Sequence, residues 1–316
     1  MGSGGTGGAP ESGQTGEGGA VAGAAEVGGM VAGGVTGMGS ICVGGTASAG
    51  GAIGAGGVTS AGGAIETGGV TSTGAGGRGG PGGSLPADGG LGRGLLAYYA
   101  CESTSFSYLP DLSGNGLNAT LLTDSGGSPS FSFVAGKIGM GLHLLQAQSE
   151  YLSLPIQTLA NATEMTIATW VYLEDSSSWQ RIFDLGKDTT AYLFLTPKNG
   201  RNDKIRFAIS KAGLNNEQIL DGDVLMPLGV WKHIAVVLEP GKGGGILYLD
   251  GVPVGINTTM TLRPADVADL SKSYIGKSRY PDPYLGASID DFRIYNRALS
   301  AVETMALALG QTASTD

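Results

Sequence analysis

The chain has 316 residues, a formal net charge of −9 and 59 glycines, 36 of them within residues 1–90, where none of the 21 aromatic residues falls. That first region has too little apolar side-chain volume to offset the entropy of ordering its backbone. The acidic balance, with no basic stripe interleaved with aromatics, excludes a reader of phosphate backbones, and no apolar run reaches the roughly 18 residues that cross a bilayer.

In chain order, residues 1–90 are low-complexity and weakly periodic. Gly57-Val-Thr-Ser-Ala-Gly62 recurs as Gly69-Val-Thr-Ser-Thr-Gly74, but without the strict G-X-Y register of a collagen strand. The segment is expected to be a disordered, flexible tether, with a mean span of roughly 50 Å. No basic or apolar leader follows Met1, so export would begin from an upstream start or use another route. Cys42 and Cys101 are read as two free thiols, because a disulfide from a floppy tether into a core strand is disfavoured. Residues 91–316 hold every Trp, Tyr and Phe, enough for one folded domain.

That domain is expected to be all-β. Short strands are predicted over 95–102, 141–145, 151–154, 165–173, 181–185, 191–196, 204–210, 231–238, 245–250, 252–256, 273–275 and 288–295. Asp250-Gly251 between two apolar runs predicts a type I′ hairpin. Ser300 stands three residues ahead of Glu303, a capping-box spacing that opens a short C-terminal helix over 301–309. So many short strands divided by turn signals leave no room for βαβ crossovers and argue for a two-sheet antiparallel sandwich. In Ser288-Ile-Asp-Asp-Phe-Arg-Ile-Tyr295, simple alternation puts Asp290 on the face of Phe292 and Ile294, where a carboxylate needs a cation or several donors.

Several pieces in order resemble the LamG-like (laminin-G-type, concanavalin A-like) jelly-roll modules. They are Tyr98-Tyr-Ala-Cys-Glu102, Asp111-Leu-Ser-Gly-Asn-Gly116, Gly136-Lys-Ile-Gly139, Gly141-Leu-His-Leu144, Thr166-Ile-Ala-Thr-Trp-Val171, Trp231-Lys-His-Ile-Ala-Val236, Leu247-Tyr-Leu-Asp-Gly251 and the Ile289-Asp-Asp291 strand. The resemblance covers about residues 91–310 and implies a jelly-roll sandwich, preceded here by the glycine-rich segment. One departure is Cys101, where the family's opening strand usually has an aromatic residue.

The resemblance also directs attention to a calcium site. Ca²⁺ takes six to eight oxygens from carboxylates, amides and carbonyls in a bent loop. By itself Asp111-x-Ser-Gly-Asn-Gly116 is simply a good turn. With Asp290 on a strand that neighbours the first in the family, Asp111, Asn115 and Asp290, with Glu102 as a fourth, become candidate ligands of a structural ion.

Enzymatic readings fare worse. The family's glycosidases carry Glu-x-Asp-x-x-Glu, whereas Ser288 and Arg293 stand at the positions of the two glutamates. A Ser-His-Asp triad would need His143 or His233, both inside strand patterns, and no nucleophile elbow is present. Asp221-Gly-Asp223 has no third partner. Trp170 and Trp231 are expected to be packing residues between the sheets. Trp179, in a polar loop, and Tyr280 and Tyr284, beside Pro281 and Pro283, are candidate ligand-binding rings, because exposed aromatics on stiff loops can grip sugar faces. Asn-x-Thr triplets at Asn118, Asn161 and Asn257 are read as chance. The sequence therefore points to an exported, non-catalytic module binding a glycan or a cell-surface partner. The alternatives are an adhesion or structural domain that contacts protein, and an accessory or inactive relative of a glycosidase.

Overall fold

A computed structural model describes residues 90–102, 107–129 and 132–311. The tether expected over 1–90, including Cys42, lies outside the described residues except for Gly90. Sixteen strands are present among them: β1 (Leu95–Tyr99), β2 (Tyr108–Leu109), β3 (Ala119–Thr123), β4 (Ser132–Ala135), β5 (Met140–Leu144), β6 (Glu150–Leu154), β7 (Met165–Leu173), β8 (Phe183–Gly186), β9 (Tyr192–Thr196), β10 (Arg206–Ser210), β11 (Gln218–Asp221), β12 (Trp231–Glu239), β13 (Gly244–Leu249), β14 (Val252–Asn257), β15 (Ser273–Ile275) and β16 (Ala287–Tyr295). The helices are α1 (Pro264–Val267) and α2 (Ala301–Ala308).

The strands form two antiparallel sheets, as expected for a jelly-roll sandwich. The first runs β14-β13-β12-β7-β16-β5-β4, with β1 also on β16; the second runs β11-β10-β9-β8-β15-β6-β3-β2. Alternation explains the layers. In β7 the odd positions Met165, Ile167, Val171 and Leu173 join the inter-sheet core, as do Ile234, Val236 and Leu238 of β12. From the second sheet, Phe183, Leu193, Leu195, Phe207 and Ile209 meet them.

Two expectations need correction. The first concerns Asp290. Between Asp290 and Arg293 the register on β7 slips by one residue, and Asp291 takes a left-handed φ of 52°. This bulge resets the alternation. Ala287 and Ile289 face the core before it, Phe292 and Ile294 after it. Asp290 therefore points away from the inter-sheet core, on the outer face opposite Trp170, rather than beside Phe292 and Ile294. The second concerns Trp170 and Trp231, which also take outward positions in β7 and β12. Trp170 is buried there under the Lys137 ammonium, 4.7 Å from its ring centre, while Trp231 is half-buried.

The remaining outer face of the first sheet is closed at one end by α2, where Leu299 and Leu307 pack with Ala168, Val237, Tyr248 and Tyr295. The expected capping box opens α2: Ser300 Oγ accepts from Glu303 N–H, and the Glu303 carboxylate accepts from Ser300 N–H. Arg297 ties the start of the domain to its end, donating to the carbonyls of Gly90 and Arg93 at 2.7 Å each and pairing with Glu303. Asp250 and Gly251 have φ of 51° and 77°, as a type I′ turn requires.

Candidate functional site

The loop before β8 and the loop before β16 are joined by one buried side chain. Gln180 donates from Nε2 to the Asp175 carboxylate and carbonyl, and its Oε1 accepts from Gly286 N–H at 2.8 Å. This fixes the loop that carries Trp179 against the loop that carries Tyr280. Arg181 makes a second weld. Its guanidinium donates to the Trp179 carbonyl and to Asp282, which also accepts from Ser278 Oγ, and lies 4.1 Å from the Phe194 ring centre.

The result is a cleft of about 330 Å³ on the outer face of the second sheet, lined by Trp179, Arg181, Phe194, Arg206, Glu217 and Tyr280 among others. Trp179 is half-buried, with the Arg181 and Arg206 guanidinium carbons each 5.8 Å from its ring centre. Its main chain is held at a left-handed φ of 68°, and its N–H donates to the Lys198 carbonyl. Gly200 beneath it has no room for a side chain: a Cβ there would stand 2.4 Å from Trp179 Nε1. Tyr280 contacts the Tyr192 hydroxyl, which in turn donates to Glu217 at 2.7 Å. An aromatic platform is thus surrounded by fixed donors and acceptors, a chemistry suited to a polyhydroxylated ring.

The structure brings Trp179 and Tyr280 together but not Tyr284. The Tyr284 hydroxyl donates to Asp124, and its ring packs against Tyr151 at 6.2 Å. Lys277 fills the space between these tyrosines, 4.1 Å from the Tyr151 ring centre and paired with Asp124.

The four candidate calcium ligands separate into two pairs. The Asp111 carboxylate accepts from the N–H groups of Tyr98, Ser113 and Leu117 and from Ser113 Oγ, so four donors saturate it. Asn115 donates to the carbonyls of Leu95 and Leu96. That loop is laced onto β1 by its own hydrogen bonds. Glu102 and Asp290 instead meet the turn between β4 and β5. Glu102 accepts from Met140 N–H at 3.0 Å, and Asp290 Oδ2 accepts from Ile138 N–H at 2.8 Å. Glycine is required at both ends of this turn, since a Cβ on Gly136 would stand 2.7 Å from Asp290 Oδ2 and one on Gly139 would stand 2.1 Å from Glu102 Oε1. Asp290 Oδ1 is buried without a hydrogen-bond partner, and burial, with the Asp291 charge adding, pushes the Asp290 carboxyl up to about 7. Among the described residues no three His, Cys, Asp or Glu side chains converge as a metal site. Cys101, beside this turn, is a buried free thiol.

The two histidines lie on the outer face of the first sheet. Burial drives the His233 imidazole down to about 3, so it is neutral. His143 bridges Glu174, at 2.8 Å from Nε2, and Ser132, at 3.3 Å from Nδ1. Sequence reasoning missed this arrangement, because β4 is short and its strand pattern ambiguous.

A family model described as the concanavalin A-like lectin/glucanases superfamily matches residues 146–304. Among solved structures, domain 4 of AbnA, a GH43 extracellular arabinanase from Geobacillus stearothermophilus in complex with arabinotriose, is 24% identical, with a TM-score of 0.54 over 68% of this chain and 98% of that one. The botulinum neurotoxin serotype D/C binding domain is 13% identical, with a TM-score of 0.53 over 70% of this chain and 53% of that one. A botulinum neurotoxin DC binding domain in complex with rat synaptotagmin II gives 13% identity and a TM-score of 0.52, over 70% of this chain and 52% of that one. This chain thus spans about half of those toxin domains, and at such identities the likeness is one of fold. A comparison with curated proteins finds no match.

Proposed function

Because the chain belongs to the concanavalin A-like lectin/glucanases superfamily, we propose that it is an exported, non-catalytic carbohydrate-binding module on a glycine-rich tether, with its glycan site in the Trp179–Tyr280 cleft. The observation that carries this reading is the cleft itself: a half-buried indole between two guanidinium groups, on a loop that Gln180 and Arg181 hold rigid. Rigid placement matters because a sugar gains little from a ring that must first be ordered. The arabinanase domain seen with arabinotriose supports a glycan over other ligands. The toxin domain bound to synaptotagmin supports a protein partner as the second reading.

Support for a non-catalytic role comes from the outer face of β16. Ser288, Asp290 and Arg293 share that face, so the positions that carry acids in the family's glycosidases offer one carboxylate where hydrolysis needs two. The Ser132–His143–Glu174 chain is the one feature with hydrolytic ingredients. Fluorophosphonate labelling is expected to leave Ser132 unmodified, and a labelled Ser132 would overturn the non-catalytic reading.

The proposal includes a structural calcium ion held by Glu102 and Asp290. The unpartnered Asp290 Oδ1 and the Glu102 carboxylate on the same glycine-edged turn fit a hard, oxygen-seeking cation. Such an ion would staple the turn to β16, a structural role. The saturated carboxylate of Asp111 and the strand-bound amide of Asn115 leave both out of the set.

Binding of the full chain to a glycan array, with and without EDTA, tests the glycan reading. Trp179→Ala is expected to weaken the best ligand by about tenfold or more, equivalent to about 1.4 kcal/mol, without lowering the unfolding midpoint appreciably. Equal binding by Trp179→Ala and Tyr280→Ala would remove the cleft from consideration.

A further inference from the structure

On the outer face of the first sheet, four residues stand directly opposite one another across four strands: His143 of β5, Ser288 of β16, Tyr172 of β7 and Trp231 of β12. At about 4.8 Å per strand the row is roughly 14 Å long. Ser288, the smallest of the four, makes the floor of a groove of about 360 Å³. The Tyr172 and Trp231 rings form one wall, with centres 5.7 Å apart.

Trp231 is laid across the face. A Cβ built on Gly141 of β5 would stand 3.2 Å from Trp231 Cη2, although β7 and β16 lie between those two strands. Roughly 14 Å is more than an indole reaches over a flat sheet, so this face curls inward beneath the ring. The opposite wall is polar. His143 is fixed by Ser132 and Glu174 on its two nitrogens, and the exposed Glu174 presents acceptors beside the rings. No Lys or Arg lines this groove, in contrast to the Trp179 cleft with Arg181, Arg201 and Arg206.

We propose that this groove is a second saccharide site, taking the neutral sugar rings of a polymer that lies across the strands. The module then carries one glycan site on each outer face of the sandwich and can bridge two polysaccharide chains. The inference rests on the glycan-binding reading above. An aromatic wall offers a sugar ring its apolar face to stack on, and carboxylate, imidazole and hydroxyl groups match its equatorial hydroxyls without favouring an anionic sugar.

Affinity electrophoresis of the full chain in gels containing linear arabinan, xylan or mixed-linkage glucan tests this. Trp231→Ala, and Ala135→Arg as a blocking change at an exposed lining position, are compared with Trp179→Ala and with the Trp179→Ala/Trp231→Ala double variant. For at least one polysaccharide, Trp231→Ala and Ala135→Arg are each expected to lower affinity at least about tenfold. Residual retardation should vanish only in the double variant, and the wild type alone should precipitate the soluble polymer. Unchanged retardation in both Trp231→Ala and Ala135→Arg would overturn the second site and leave the Trp179 cleft standing. Loss in Trp231→Ala with no change in Trp179→Ala would overturn the cleft, and the bridging with it. No retardation of the wild type by any of the three would overturn both.

Discussion

Asp290 is the residue on which most of the local chemistry turns. Its carboxyl is pushed up to about 7, so the folded protein binds this proton more tightly than the unfolded chain, where an aspartate titrates near 3.9. In EDTA the contribution of this group is therefore fully present below about pH 4, is lost as pH rises towards 7, and is level above that. Asp290→Asn should flatten that slope and raise the unfolding midpoint at pH 8. Millimolar calcium should oppose the same loss by giving the ionised form a partner, adding about 2.7 kcal/mol at 100 times its dissociation constant. Asp290→Asn and Glu102→Gln should each abolish the calcium increment. Asp111→Ala should cost about 1–3 kcal/mol equally in both buffers, because it unmakes hydrogen bonds within one loop. Thermal unfolding of the full chain supplies all of these readings, and identical midpoints with EDTA and calcium would eliminate the ion.

At the scale of the element, the hairpin between β13 and β14 offers a clean case. Gly251 has a left-handed φ of 77°, and a Cβ there would stand 2.7 Å from Met305 Sδ and 3.0 Å from Met305 Cα. Gly251→Ala is expected to cost about 1–3 kcal/mol in urea unfolding, and adding Met305→Ala should recover the steric part only. This turn was legible from Asp250-Gly251 alone, as were the long alternating strands β7 and β12 and the cap of α2. What was not legible has a common cause. Strands β2, β3, β4 and β11 are two to five residues long and half-polar, too short for a period to show. The bulge at Asp291 adds one residue that no alternation pattern reveals, and it alone moved Asp290 to the other face. Trp231 was assigned to the core because it begins an apolar strand; its outward parity becomes visible only once Ile234 and Val236 are known to point in. Trp179 and Tyr280 were found by their loop chemistry, but their meeting depends on Gln180, whose role is a matter of tertiary contact.

For the whole molecule, the sandwich presents two unlike outer surfaces, one with an arginine-lined aromatic cleft and one with a cation-free groove. Limited proteolysis is expected to leave a stable fragment beginning between about residues 85 and 97, since residues 1–90 lack every aromatic side chain. Edman or mass analysis of the fragment checks this, and a resistant N-terminal piece would contradict the tether. The pairing of the first strand with the last has a mechanical consequence. Leu95 lies opposite Tyr295, so β1 begins where β16 finishes, and a pull between the tether and the far end of the domain enters and leaves at the same edge. Such a load does not shear the ladder all at once; it opens one rung after another. The first thing it strains is Arg297, gripping the carbonyls of Gly90 and Arg93 from beside α2. A module anchored by its N-terminal side to a surface and by its faces to polymer would feel its load through the faces instead, and this clasp would stay shut.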